Sequence, residues 1–106
     1  MDKTAAVGVA TKYSQLLNRH FSAKMVVVFG SYAKGTARPD SDIDVAVVVD
    51  KLEGDFLDTY RKLFQLRRDI DIRIEPVLIE ESSEKSGFLK EILSTGYVVY
   101  RATGTQ

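Results

Sequence analysis

The chain has no cysteine, a single histidine and no surplus of either charge: fifteen Lys and Arg stand against fifteen Asp and Glu. Without cysteine there can be no disulfide and no thiolate metal site, a composition that fits a cytoplasmic protein. Charge balance argues against a nucleic-acid partner, since such partners are held by surplus basic residues on their phosphates. No apolar run approaches the roughly 20 residues of a membrane span, and the N-terminus lacks the apolar core of a signal peptide. The expected setting is therefore cytoplasmic, away from membranes. No Ser/His/Asp or Cys/His constellation stands out for covalent catalysis. Repeats and low-complexity segments are missing too.

What is present is 106 residues, 44% hydrophobic and 28% charged, enough for one domain over residues 1–106 with a single core. Its most informative stretch is Val26 to Val49, VVVFGSYAKGTARPDSDIDVAVVV. Two runs rich in Val, bounded by Gly, Ser, Pro and Asp, read as buried strands. Between them, Gly30-Ser31 opens a short helix or tight turn over residues 31–36. Backbone N–H groups at such a junction point outward unpaired and attract anions, Gly30 lets a phosphate come close, and the Ser31 hydroxyl adds a donor. Lys34 and Arg38 are candidates for neutralising a triphosphate. Asp42 and Asp44, two apart on an extended strand, project to one side while Ile43 and Val45 turn into the core. Two carboxylates held side by side repel each other, and a divalent cation with hard oxygen ligands is the obvious remedy.

The flanks supply the frame. Ala6, Ala10, Tyr13, Leu16, Leu17 and Phe21 keep helical spacing and predict a helix from about Thr4 to Phe21, its first turns weakened by Gly8. His20 then sits near that helix's C-terminus, where the dipole favours it. Asp55 is the expected N-cap of a basic helix reaching about Arg68, its Arg and Lys side chains a solvated face. Residues 69–81, DIDIRIEPVLIEE, alternate as a strand, with Ile70, Ile72 and Ile74 on the buried face and Asp71, Arg73 and Glu75 on the polar one. Pro76 points to an edge position or a bulge. A last helix is expected over residues 86–94 with Gly96 as its C-cap. Residues 97–100 follow as a short extended piece, and residues 101–106 are expected to fray. The order predicts an α/β (α+β) fold, a small mixed β-sheet with helices packed on it.

The joined pattern FGSYAKGTARPDSDIDVAVVV resembles the signature of the DNA-polymerase-β-type nucleotidyltransferase superfamily, and specifically its minimal nucleotidyltransferase (MNT) domains, with Gly-Ser, then Gly, then Ser-Asp-x-Asp. The resemblance implies a third carboxylate from the strand after the basic helix. Asp71 and Glu75 both share the polar face, and Glu75 in its Ile-Glu-Pro-Val setting is the expected one. It further implies that Asp42, Asp44 and Glu75 hold two Mg²⁺ ions, while Gly30, Ser31 and Lys34 bind the phosphates of ATP. MNT proteins frequently act as the antitoxin half of a pair with a HEPN-domain ribonuclease, transferring AMP to a tyrosine of that toxin. The expected function is thus Mg-dependent adenylyl transfer to a HEPN partner. The alternatives are neutralisation of that partner by occlusion alone, or nucleotidyl transfer to a small molecule. Phe88, Leu89, Tyr97 and Tyr100 are candidates for a contact patch.

Overall fold

A computed structural model describes residues 1–103. It contains eight principal elements: α1 (Lys3–Leu17), β1 (Met25–Phe29), α2 (Ser31–Lys34), β2 (Ile43–Val49), α3 (Phe56–Arg67), β3 (Ile74–Glu80), α4 (Phe88–Thr95) and β4 (Tyr97–Arg101). The strands form one mixed sheet in the order β3-β2-β1-β4. β1 runs antiparallel to both β2 and β4, whereas β2 and β3 are parallel, with α3 as the crossover. No helix among the described residues is long and apolar enough to cross a membrane.

The alternation of strand side chains divides the interior in two. On one face Val26, Val28, Ile43, Val45, Val47, Ile74 and Leu78 pack against Ala6, Ala10, Tyr13 and Leu17 of α1 and Leu63 and Leu66 of α3. On the other face Met25, Val27, Ala46, Val48 and Ile79 meet Leu89 and Ile92 of α4. Both faces of β2 are covered over most of its length, which is why its sequence reads as a nearly continuous apolar run.

Several boundaries differ from the sequence-based expectation. α1 begins at Lys3 because Asp2 caps it, accepting from Ala5 N at 2.9 Å, so Gly8 does not unravel its first turns. Such a cap contributes roughly 1 kcal/mol. The helix stops at Leu17, and Asn18 to His20 form a turn that leaves His20 three residues beyond its end. Asp55 caps α3 as expected, accepting from Asp58 N at 3.0 Å. α4 begins and ends slightly later than expected. Gly96 does follow it, but in extended rather than left-handed backbone. The reason for glycine there is space: a Cβ would lie 2.5 Å from Ile92 O and 2.8 Å from Val28 O.

The larger correction concerns residues 69–73. They form turns, not strand, and β3 starts only at Ile74. Asp71 causes this. Its carboxylate accepts from Arg73 N at 2.9 Å and pairs with the Arg73 guanidinium at 2.7 Å, closing the backbone on itself. Ile72, expected in the core, is 70% exposed as a result. Pro76 does sit on an edge strand. That edge is partly closed by Tyr60, whose hydroxyl accepts from Leu78 N at 3.0 Å. At the other end of the chain Arg101 belongs to β4 and Ala102 N donates to Lys24 O at 2.9 Å, so the described part of the tail does not fray. The rest of that expectation falls on residues 104–106, outside the described residues.

Candidate active site

The loop after β1 is built by one glycine and one tyrosine. Gly30 has φ +73°, a conformation open to glycine and strained for other residues. A Cβ on Gly30 would come 2.1 Å from Asp44 Oδ2, so the chain turns directly against that carboxylate. Tyr32, one residue past Ser31, is buried in the core between sheet and helices and anchors the turn. Lys34 N bonds Gly30 O at 3.0 Å and Thr36 N bonds Ser31 O at 2.9 Å, which closes a single helical turn. Its first N–H groups have no acceptor within so short a helix. Lys34 ends that turn exposed, and neither it nor Arg38 forms an ion pair among the described residues.

Register sets the acids in a row. Asp44 lies opposite Phe29 on β1 and beside Glu75 on β3. By strand alternation Asp44 shares the face of Ala46 and Val48, and Glu75 that of Val77 and Ile79, so both carboxylates stand on the α4 side at the uncovered end of the sheet. Asp42 precedes the strand and is exposed, yet near enough for its charge to act on Asp44. Asp44 is half-buried, and its carboxyl is pushed above the ordinary carboxylate range, first by burial, then by Asp42, then by Glu75. Asp71 is not part of this group: it is committed to Arg73, which holds its carboxyl below the ordinary range.

Among the described residues, no ion pair or side-chain hydrogen bond compensates Asp42, Asp44 or Glu75. Nor do three His, Cys, Asp or Glu side chains there close into a ready-made metal cluster. The donor set still fits a divalent cation. Carboxylate oxygens whose mutual repulsion is otherwise unrelieved are the hard donors such a cation binds. The wider cleft lined by Asn18 to Ser22 and Val49 to Glu53, which includes His20, lies at the opposite end of β2, about 17 Å along the strand from Asp44. It takes no part in this group.

Two supporting residues were not singled out from the sequence. Arg67 donates to Ile74 O at 2.8 Å and so fixes the start of β3, one residue before Glu75. The sequence places it on a solvated basic face, whereas the side chain reaches across to a strand. For Tyr32 the available signal is an aromatic two positions after Gly30 in an otherwise small and polar turn. Of the expected contact patch, Leu89 is core and Tyr100 is partly buried, leaving Phe88 and Tyr97 exposed. Phe88 sits edge-on to Phe29 with ring centroids 6.0 Å apart.

Comparison with known proteins agrees with this fold. A protein adenylyltransferase MntA from Thermococcus cleftensis is 31% identical over 87 residues, which are 80% of this chain and 83% of the relative. A toxin–antitoxin complex solved with AMP-PNP superimposes with a TM-score of 0.65 at 26% identity, over 86% of this chain and 72% of that one. A complex of a tri-AMPylated Shewanella oneidensis HEPN toxin with its MNT antitoxin shares the fold, with a TM-score of 0.60 at 21% identity over 94% and 73% of the two chains. The model of the polymerase beta nucleotidyltransferase family matches residues 11–104. With Gly30 turned onto Asp44 and Glu75 aligned beside it, the chain belongs to that nucleotidyltransferase family.

Proposed function

We propose that this protein transfers AMP from ATP to a hydroxyl, a tyrosine in the expected case, of a HEPN-type partner toxin. The observation that carries the reading is Asp44: half-buried, uncompensated, with Gly30 on one flank and Glu75 on the other. The similarity to a protein adenylyltransferase and to a toxin–antitoxin complex holding AMP-PNP supports the choice of nucleotide and of acceptor class.

In this reading Gly30 N–H and Ser31 receive the β- and γ-phosphates, with Lys34 adding positive charge. The acceptor hydroxyl oxygen forms a bond to the α-phosphorus, the bond from that phosphorus to the bridging oxygen breaks, and pyrophosphate leaves with the electron pair. The hydroxyl proton passes to Glu75 or to water beside it. Two Mg²⁺ ions held by Asp42, Asp44 and Glu75 would polarise the α-phosphate and offset the charge of the leaving group. The reaction forms no covalent enzyme intermediate, in keeping with the lack of an activated nucleophile.

The test is incubation with Mg-ATP, with and without a HEPN-domain protein encoded beside the chain. Mass spectrometry should show one or more adenylyl groups on a tyrosine of that protein only when all components are present. A toxin that is neutralised yet never gains mass would replace this reading with occlusion.

A further inference from the structure

On the α4 face of the sheet the acids have aromatic neighbours that the helix does not fully cover. Phe29 is the antiparallel partner of Asp44, and Asp44 is the parallel partner of Glu75, so the three form one row across adjacent strands. By alternation Phe29 shares the face of Met25 and Val27, which is also the face of both acids. Directly opposed side chains on antiparallel strands have Cβ atoms about 5 Å apart. Phe88, the first residue of α4, extends the row: its ring meets that of Phe29 edge to face, with centroids 6.0 Å apart.

If AMP transfer proceeds at Asp44 as proposed above, we infer that Phe29 and Phe88 form the base subsite, the wall against which the purine of the donor triphosphate stacks. Around Asp44 each neighbour but one then has a role. Beyond the end of β1, the Gly30–Ser31 turn receives the outer phosphates, and on the β3 side Glu75 faces the acceptor hydroxyl. The β1 side of the same face, where Phe29 and Phe88 stand, is the apolar ground left for the nucleoside. Both rings lie within reach of a base whose phosphate is held at Asp44.

Exposure separates Phe88 from the residues that only hold α4 on the sheet. Leu89 and Ile92 are 7% and 2% exposed, whereas Phe88 keeps 40%. Hydrogen bonds define the start of the helix, with Phe88 N donating to Ser86 Oγ at 3.2 Å and Glu91 N to Gly87 O at 3.0 Å. Each ring of an edge-to-face pair keeps at least one face unused by the other, and aromatic faces hold bases by stacking. Phenylalanine side chains carry no hydrogen-bond donor or acceptor, so such a wall ranks bases by flat area, purine above pyrimidine.

Calorimetric titration of the intact protein with Mg-ATP, Mg-UTP and Mg-tripolyphosphate tests this without any transfer reaction. The unmodified chain should bind ATP more tightly than UTP. Phe88→Ala should weaken ATP binding about tenfold, weaken UTP binding less, and leave tripolyphosphate within about twofold. Phe88→Tyr, which keeps the ring, should bind ATP within about twofold of the parent. Leu93→Gln, at an exposed apolar residue of α4, should change none of the three affinities. Unaltered ATP affinity in Phe88→Ala overturns the inference, as does failure of the unmodified chain to bind ATP. An equal loss for ATP and tripolyphosphate also overturns it, because the ring then only supports the fold. So does a Phe88→Ala variant that spares ATP but weakens binding of a HEPN-domain protein encoded beside the chain, since the ring then belongs to the protein interface. Ring-dependent ATP binding, with no adenylyl transfer to that protein by the unmodified chain, would sustain the base subsite and remove the proposed reaction.

Discussion

The two ends of β3 carry a glutamate each, and they could hardly be treated more differently. Glu80 accepts from Ser83 Oγ at 2.7 Å and from Leu52 N at 2.7 Å, and these bonds hold its carboxyl below the ordinary range. Next to it, Glu81 pairs with Lys24. Glu75, five residues earlier, has neither an ion pair nor a side-chain hydrogen bond among the described residues, and it stands beside the equally uncompensated Asp44. An acid with its partners in place contributes to the fold. An acid held against other acids is a standing cost that only a ligand relieves, and such groups collect at functional sites.

The contrast can be broken most severely at Asp44. Asp44→Asn should lower adenylyl transfer at least about a thousandfold, roughly 4 kcal/mol of transition-state stabilisation, while raising the Tm of the protein in chelator. The sign follows from the raised carboxyl. Between its unfolded and folded values the folded chain binds the proton more tightly, so the cation-free protein loses stability as pH climbs through that window. Asn removes this loss. Label transfer from α-labelled ATP and thermal melts across pH read both effects, and a variant less stable than the parent would contradict the contrast.

Glu75→Gln should come next, with a loss of about a hundredfold or roughly 2.7 kcal/mol and little change in melting. At the other end of the strand Glu80→Gln should do the reverse: transfer within about twofold of the parent, and a Tm lower by no more than about 4 °C. Because the Glu80 carboxyl is held low, its support is present at neutral pH and is lost as pH falls through the folded value. The variant should therefore show a flatter acid limb in a stability–pH profile. Smallest of all, Asp71→Asn should leave transfer within about threefold, since its carboxylate is spent on Arg73. A hundredfold loss there, measured in the same assay, would bring Asp71 into the site.

How far the sequence carries this picture depends on where the information is local. Gly30-Ser31 and Asp42 to Asp44 announce themselves because a glycine, a hydroxyl and two acids interrupt two Val-rich strands. The β1–β2 pairing follows from their closeness in the chain. The choice between Asp71 and Glu75 was not available locally, because both occupy the polar face of an alternating run. It depends on where β3 begins, and a side chain binding its own backbone at Asp71 and Arg73 overrides the alternation. The exposure of Ile72 follows from the same bond. Likewise Leu66 is buried on α3 while Phe56 is 47% exposed, and spacing alone does not say which side of a helix meets the sheet.

The mixed pairing of the sheet also sets an order of assembly. Asp44 meets the glycine turn through neighbouring strands, whereas it meets Glu75 only after the α3 crossover has brought in a strand some thirty residues away. Closing a loop of that length costs roughly 3 kcal/mol of chain entropy, which parallel pairing must recover. On a ribosome releasing the chain from its N-terminus, the turn and its first acids emerge and can pair while β3 is still unmade. The Gly30 turn with Asp42 and Asp44 can thus form before Glu75 is in place, and a chain stalled or truncated before residue 74 would carry the first without the second.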